Sequence, residues 1–157
     1  MAEPAPTDAD SAWLRAAIEL SWRCPPSSSA FSVGAVLVAP GGNPIATGYS
    51  REREPLDHAE EVALARATAP PSGPGWLAGA TMYTSLEPCC HRLSRPCSCA
   101  ELLVAAGVRR VVLAWLEPPL FVPGGGAAWL RDQGVEVREM PELADAARAV
   151  NAHLLRA

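Results

Sequence analysis

The spacing of apolar and polar residues divides the chain into short helical and extended segments. Apolar side chains recur at helical spacing in residues 11–23, where Ser11 or Asp10 is available as the N-cap. Compact apolar runs bounded by glycine, proline or polar residues predict five strands, at residues 31–39, 44–50, 80–86, 108–116 and 135–140. The same pattern predicts four further helices, at residues 57–69, 98–107, 127–134 and 141–157.

The order of these elements predicts an α/β fold in a single domain. The Gly-Gly-Asn turn at residues 41–43 is typical of a hairpin between the first two strands. Strands then alternate with helices, and short strand–helix–strand connections favour parallel pairing. Pro70 and Pro71 are expected to end the second helix. We therefore expect a three-layer α/β/α sandwich with a five-stranded mixed sheet over residues 11–157, preceded by a flexible tail at residues 1–10.

Composition and charge restrict the classes of function. All 13 basic residues are arginines, which excludes Schiff-base and phosphate-loop chemistry that depends on lysine. The formal net charge is −4 and the basic residues are scattered, so a long nucleic acid is a poor candidate partner. The apolar stretches are shorter than the ~20 residues of a membrane span, and no basic, apolar leader is present. We expect a cytoplasmic protein that does not contact a membrane.

The segment Asp57-His58-Ala59-Glu60 is the first candidate for chemistry. If Asp57 caps the predicted helix, His58 and Glu60 are its first and third residues and both lie at its N-terminus. The structural interpretation is a capping box in which Asp57 and Glu60 satisfy free N–H groups and His58 has no role. The functional interpretation makes His58 a metal ligand and Glu60 an acid–base group, and it requires further ligands elsewhere.

A cluster of cysteines can supply those ligands. Four of the five cysteines lie within eleven residues: Cys89, Cys90, Cys97 and Cys99. Such clustering without a secretion signal favours a metal site over disulfides. Ser98 and Glu101 have capping-box spacing, so Cys99 should open a helix, where the helix dipole lowers the pKa of a thiol. Cys89 follows a predicted strand; Cys97 precedes the cap and is the rival ligand, and we prefer Cys99.

One histidine and two thiolates are a ligand set typical of catalytic zinc. Three protein ligands leave the fourth tetrahedral position open for water, whose pKa zinc lowers toward ~7. Glu60, two residues after His58, is placed to move the protons. The predicted ligands of one zinc ion per chain are therefore His58, Cys89 and Cys99. The alternative is a closed structural zinc knuckle of Cys89, Cys97, Cys99 and either Cys90 or His91.

Several segments closely resemble the cytidine deaminase-like superfamily. They are FSVGAVLV, DHAEE, TSLEPC and a later cysteine that opens a helix, and the resemblance spans about residues 12–155. The helix between the last two strands is similar to the branch in which those strands run parallel. Within that branch, GATMYTSLEPC, AAGVRRVV and GGGAAWLRDQGVEV resemble the pyrimidine deaminases of riboflavin biosynthesis. The segments RLS and EPPLFV resemble the fungal and plant-like form of those enzymes.

The resemblance implies a zinc-dependent hydrolytic deaminase. It implies His58, Cys89 and Cys99 as the zinc ligands and Glu60 as the proton shuttle. The implied substrate is a diaminopyrimidinone with a ribosylamino or ribitylamino chain, as its phosphate. The family also implies a homodimer or larger homo-oligomer. Because no reductase segment follows the deaminase unit, the resemblance implies a separate reductase in the pathway, or a pathway that uses only the deaminase.

Two alternatives stay open. Bacterial members of the family carry Asn-Pro where this chain has Ala30-Phe31, and that asparagine helps to hold the substrate in related enzymes. A cytosine or guanine nucleoside, nucleotide or base therefore remains a candidate substrate. A non-catalytic scaffold stabilised by zinc is the second alternative, although such a scaffold would lack the glutamate that this chain has at Glu60.

Five further residues are candidates for substrate contacts: Phe31, Ser85, Glu87, His91 and Arg92. Phe31 could stack on the ring. Ser85 and Glu87 flank the predicted metal site, while His91 and Arg92 lie in the loop after Cys89 and could reach a sugar or phosphate. Each also has a structural interpretation, as a core residue, a strand end or part of a solvated loop.

Overall fold

A computed structural model describes residues 5–68 and 77–156 of the chain. The five strands are β1 (Gly34–Val38), β2 (Pro44–Tyr49), β3 (Thr81–Thr84), β4 (Arg110–Leu113) and β5 (Glu136–Glu139). The helices are α1 (Asp8–Ser21), α2 (Ala59–Ala67), α3 (Cys99–Ala105), α4 (Gly126–Asp132) and α5 (Ala144–Val150). The predicted stop of the second helix at Pro70 and Pro71 lies outside the described residues.

The strands form one mixed sheet in the order β2-β1-β3-β4-β5. Strand β1 pairs antiparallel with both β2 and β3, whereas β3, β4 and β5 run parallel to one another. The predicted five-stranded mixed sheet with two parallel last strands is therefore confirmed. Because β3 and β4 are parallel, the loops that leave their carboxyl ends emerge at the same edge of the sheet, where α/β folds place their sites.

Two glycines show how closely the helices approach the sheet. A Cβ on Gly34 would lie 1.9 Å from the Ala17 carbonyl oxygen in α1, and a Cβ on Gly48 would lie 2.4 Å from the Ala59 carbonyl oxygen in α2. Gly48 pairs with Ala35, the neighbour of Gly34. Since adjacent strand residues point to opposite faces, α1 and α2 cover opposite faces of the sheet. The predicted three layers follow from this register.

The ends of the helices differ most from the sequence prediction. Helix α1 begins at Asp8 rather than at Ser11, because Thr7 is the N-cap and forms a capping box with Asp10. Residues 8–10 therefore belong to the helix and not to the predicted tail. The predicted single helix at residues 141–157 is divided into a 3₁₀ turn at Pro141–Leu143, helix α5 and a second 3₁₀ turn at Ala152–Leu154.

The core is a continuous apolar cluster between the sheet and both helical layers. Strand β1 is buried along its whole length, as expected for a strand next to the middle of a covered sheet. Among the helices that the structure describes, none is both long and apolar enough to span a membrane.

A partly buried ion pair connects α1 to the end of the sheet opposite the candidate site. The Asp10 carboxylate accepts two hydrogen bonds from the Arg110 guanidinium, at 2.8 and 3.0 Å, and one from the Tyr83 hydroxyl at 2.7 Å. The hydrogen bonds from Arg110 hold the pKa of Asp10 well below its usual range, although burial opposes them. This fork joins α1 to both β3 and β4.

Replacing Asp10 by asparagine is expected to reduce the free energy of unfolding by about 2 kcal/mol at pH 7, because the charge-assisted bonds to Arg110 are lost. The folded pKa of Asp10 is depressed, so its stabilisation is complete above the unfolded value of about 3.9 and declines as the pH falls below it. Urea unfolding at pH 7 and pH 3 should show a smaller difference between variant and wild type at pH 3. Asp145→Asn, which alters an exposed ion pair, is the control, and an equal effect there would contradict the prediction.

Candidate metal centre and active site

Three potential metal ligands meet where the β3 loop, the start of α2 and the start of α3 come together. The Nδ1 atom of His58 lies 3.5 Å from the Cys89 sulfur and 3.4 Å from the Cys99 sulfur. These three atoms all lie within 4.8 Å of one another. Within the described residues, this is the one cluster of histidine, cysteine or acidic side chains close enough to hold a metal ion.

The start of α2 places His58 at the site. His58, rather than Asp57, is the N-cap residue, and its backbone N–H donates to the Glu61 carboxylate at 3.3 Å. The prediction that Asp57 caps the helix is wrong because its buried carboxylate accepts the backbone N–H groups of Arg53 and Glu54 and closes the preceding turn. Asp57 thus fixes the chain that leads into the helix.

The start of α3 places the second thiol, as the sequence predicts. Ser98 is the N-cap, its hydroxyl accepts the Glu101 N–H, and Cys99 is the first helical residue. The backbone N–H of Cys99 donates to the Cys89 sulfur at 3.3 Å. Cys97, the rival ligand, is exposed and lies outside the cluster. His91, which the closed knuckle could have used, is also exposed.

The two thiols are electrostatically unequal. The hydrogen bond with Cys99 and the nearby His58 lower the pKa of Cys89 to about 4. The same contact and burial raise the pKa of Cys99 well above its usual value, so the pair shares one proton. The sequence argument expected the lowered pKa on Cys99; here the lowered pKa belongs to Cys89, chiefly because of its hydrogen bond with Cys99.

The ligand set fits zinc. With Zn–S and Zn–N bonds of about 2.3 and 2.0–2.1 Å, a tetrahedral ion separates its nitrogen and sulfur ligands by about 3.5 Å, close to both observed His58–thiol distances. Three ligands leave one tetrahedral position open, as in catalytic zinc sites. The structure therefore presents a three-ligand site of the kind that zinc occupies.

Glu60 lies at the second position of α2, immediately beside this cluster. Its carboxylate is buried, and burial raises its pKa. The Thr84 hydroxyl at the end of β3 lies 2.9 Å from Glu60 Oε1 and 2.9 Å from the Leu86 carbonyl oxygen. A hydroxyl has one proton, so Thr84 can donate to an ionised Glu60, or turn toward Leu86 and accept from a protonated one. Both protonation states of Glu60 are thus accommodated.

A cavity of about 360 Å³ opens beside the cluster. His58, Glu60 and Cys89 line one side of it. Phe31 lines it as well and packs edge to face against Trp115 and Phe121, with ring centroids 5.3 and 5.1 Å away. The volume suits a small ligand, and the aromatic side chains provide an apolar surface for a flat ring.

The structure brings four of the five predicted substrate contacts to this cavity, namely Phe31, Glu87, His91 and Arg92. Ser85 does not line it, because its buried hydroxyl accepts the backbone N–H of Gly34 inside the sheet. Both carboxylate oxygens of Glu87 accept backbone N–H groups, from Glu117 at 3.0 Å and from Ala127 at 2.8 Å. Glu87 therefore anchors the loop that forms the far wall.

Sequence reasoning did not select Glu117 and Phe121, which also line the cavity, and Arg51 lines it as well. Burial and the nearby acidic groups raise the pKa of Glu117 to about 8, so it can hold a proton at neutral pH. Its position after β4, parallel to β3, is the signal that could have found it.

Arg51 adopts a positive φ of 60° and donates to carbonyl oxygens of Pro25 and Phe31. It thereby holds the segment that carries Phe31.

The mixed sheet and the three-ligand site with a neighbouring glutamate fit a zinc-binding deaminase, and sequence comparison agrees. The cytidine and deoxycytidylate deaminase zinc-binding region matches residues 7–115. The chain therefore belongs to this deaminase family.

Several relatives act in riboflavin biosynthesis or carry names of that pathway. A diaminohydroxyphosphoribosylamino-pyrimidine deaminase of Schizosaccharomyces pombe is 41% identical over 127 residues, which cover 81% of this chain and 31% of that protein. RibD of Acinetobacter baumannii is 34% identical with a TM-score of 0.74, over 94% of this chain and 39% of that one. The Rib2 deaminase of Aspergillus oryzae is 25% identical with a TM-score of 0.80, over 91% and 90%. The chain spans about a third of the length of the curated relatives it matches.

Proposed function

We propose that this chain hydrolytically deaminates a diaminopyrimidinone that carries a ribosylamino or ribitylamino chain, as its phosphate. The observation that carries the proposal is the group His58, Cys89 and Cys99 with Glu60 beside it, at the side of a cavity sized for a small ligand. The name of the Schizosaccharomyces pombe relative supports the substrate. The products would be the corresponding uracil-type compound and ammonia.

In this proposal His58, Cys89 and Cys99 hold one zinc ion per chain. Bound zinc supplies Lewis-acid chemistry that makes water nucleophilic near neutral pH. The donors are prepared for this role, because Cys89 is held as a thiolate by its contacts with Cys99 and His58. The α2 N-cap and the α3 N-terminus hold two of the ligands on regular elements, which keeps their separation fixed.

Glu60 is the proton shuttle of the proposed reaction. It takes a proton from the attacking water and returns it to the departing amine as ammonia leaves. We assign the exchange to Oε2, because Thr84 engages Oε1. With the proton on Oε2, Oε1 can still accept from the Thr84 hydroxyl, so this contact is compatible with both states of the carboxyl. Burial excludes competing water from the carboxyl.

The cavity walls provide the proposed substrate contacts. Phe31 offers its ring face or edge to the pyrimidine, and the packing of Trp115 and Phe121 holds it in place. The protonated Glu117 carboxyl can donate to a ring acceptor. His91 is exposed at the mouth and is the candidate for the sugar phosphate. Glu87 contributes indirectly, because its hydrogen bonds to the backbone N–H groups of Glu117 and Ala127 hold the loop that carries Glu117.

A second candidate function is deamination of a cytosine nucleoside or nucleotide. The observation that favours it is the family itself, which is described by cytidine and deoxycytidylate deaminases. Both candidates use the same zinc site and the same Glu60, and they differ in the group that occupies the cavity. A homodimer, a cytoplasmic location and a separate reductase stay predictions, the first of which light scattering would test.

Ammonia release by the zinc-loaded protein tests the proposal. The substrate panel contains the ribosylamino- and ribitylamino-diaminopyrimidinone phosphates, cytidine, deoxycytidylate and guanine. We expect turnover of the diaminopyrimidinones, with kcat/KM at least about 10²-fold above that for the cytosine compounds, because their hydrogen-bonding edges differ. Turnover of cytosine compounds alone would establish the second candidate. If the zinc-loaded protein released no ammonia from any substrate in the panel, both candidate functions would be contradicted.

A further inference from the structure

Arg92 is a buried arginine in the loop that joins the two thiols. Its side chain is 2% exposed although it lies in an otherwise exposed loop. The guanidinium donates to the Leu56 carbonyl oxygen at 2.6 Å, to a Glu61 carboxylate oxygen at 3.1 Å and to the Ser94 hydroxyl at 3.1 Å. Three protein contacts therefore hold an arginine that the sequence alone assigned to substrate binding.

Glu61 is the partner that connects Arg92 to the other half of the site. The same oxygen, Oε1, accepts from Arg92 and from the backbone N–H of His58. The second oxygen lies 3.4 Å from Nε of Arg95, in the same loop. One carboxylate thus joins the segment between the two thiols to the helix cap that carries the histidine ligand.

The geometry points to Arg92 and Glu61 as a positioning pair that sets the zinc affinity of the site, by fixing the Cys89–Cys99 loop against the start of α2. This inference rests on the proposed zinc site and deepens it. Neither side chain belongs to the ligand set. The pair acts through the relative placement of His58 and the two thiols.

A second observation supports this role. Nη1 of Arg92 is closed to water and has no hydrogen-bond partner among the described residues. A buried donor without a partner costs about 1–3 kcal/mol, so its retention requires a compensating interaction. The hydrogen bonds to the Leu56 carbonyl oxygen and to Glu61 are that interaction, and they connect the loop to the start of α2.

The contacts also argue against direct substrate binding by Arg92. A guanidinium that binds a phosphate presents a free fork of N–H groups. Here Nη2 and Nε already have protein partners, and Nη1 is enclosed. The exposed His91 next to it has no such constraint and remains the substrate-side candidate of this loop.

Zinc affinity of the intact protein tests the inference without any substrate. A chromophoric chelator would compete for Zn²⁺ with the wild type, Arg92→Gln, Glu61→Gln and the double variant. We expect each single substitution to weaken zinc binding by about 10–100-fold. The double variant should be little weaker than either single variant, because both remove the same connection.

Arg110→Gln is the matched control, since it breaks a partly buried arginine–carboxylate fork at the opposite edge of the sheet. It should lower the melting temperature while leaving the zinc dissociation constant within about 2-fold of wild type. Melting temperatures of the metal-free variants would identify a loss of fold. Arg92→Gln should also lower zinc affinity at a temperature where the variant is fully folded.

Wild-type zinc affinity in a folded Arg92→Gln protein would overturn the inference. A higher KM for the pyrimidine with unchanged zinc affinity would overturn it too, in favour of substrate binding by Arg92. If Arg110→Gln lost zinc affinity to the same extent, the loss in the Arg92 variant would reflect general destabilisation, and the inference would also be overturned. The outcomes read from zinc affinity do not depend on which pyrimidine the enzyme uses, so failure of the proposed substrate is recognised separately.

Discussion

Replacing Glu60 by glutamine is expected to reduce kcat for deamination by about 10³-fold or more while zinc stays bound. The amide keeps the size of the side chain and its contact with the Thr84 hydroxyl, but it cannot take or return a proton. General acid–base catalysis contributes about 10²–10⁴-fold, and here one group serves both the attack of water and the departure of ammonia. Ammonia release under saturating substrate, with the zinc content of each preparation, measures the effect.

Glu142→Gln is the matched control for that substitution. Glu142 is an exposed glutamate in the 3₁₀ turn after β5, remote from the metal centre along the chain. The control should retain wild-type kcat and zinc content. If Glu60→Gln kept more than about a tenth of the wild-type kcat with full zinc content, Glu60 would not be the proton shuttle.

The layers of the fold could be predicted because they depend on local periodicity. Strand β1 is a continuous apolar run and helix α3 opens at a capping pattern, and both were placed close to their observed bounds. The boundaries at α1 and the C-terminus could not be placed as well. Thr7 and Asp10 form a capping box one turn earlier than expected, and Asp10 is ordered by Arg110, a residue 100 positions away.

Part of the candidate site could likewise be predicted from local sequence, and part of it could not. His58, Glu60 and Cys99 could be selected because all three lie close to predicted helix starts, although α2 begins one residue later than the sequence predicts. Ser85 could not be excluded, since the hydrogen bond from Gly34 that keeps it inside the sheet depends on strand pairing. Glu117 was missed for a different reason. Its place in the cavity follows from the parallel pairing of β3 and β4, which the order of elements predicts, but no motif marks Glu117 itself.

At the far wall of the cavity, the start of α4 packs on the residues that precede the metal ligand Cys89. Glu87 and Pro88 lie between β3 and the ligand Cys89, and the chain near α4 packs directly on them. A Cβ on Gly126 would lie 1.7 Å from the Pro88 carbonyl oxygen and 3.5 Å from Cγ of Glu87. Only a residue without a side chain permits this approach, because backbone oxygen cannot move aside as a flexible side chain can.

Replacing Gly126 by alanine is therefore expected to lower the free energy of unfolding by about 3 kcal/mol, the upper end of what overpacking usually costs. The added methyl must push α4 away from Pro88 or displace Pro88 itself. Because Cys89 follows Pro88 directly, the second response moves a metal ligand, and zinc binding should weaken as well. Urea unfolding of the metal-free protein and chelator competition measure the two effects separately.

Gly41→Ala is the control that separates crowding from the general effect of a glycine-to-alanine change. A Cβ on Gly41, in the turn between β1 and β2, meets nothing within 4 Å, so the variant should stay within about 0.5 kcal/mol of wild type. If Gly126→Ala were equally harmless, the contact with Pro88 would have to be loose enough to relax. Loss of stability with wild-type zinc affinity would instead place the displacement in α4, because the thiol of Cys89 would then have kept its position relative to His58.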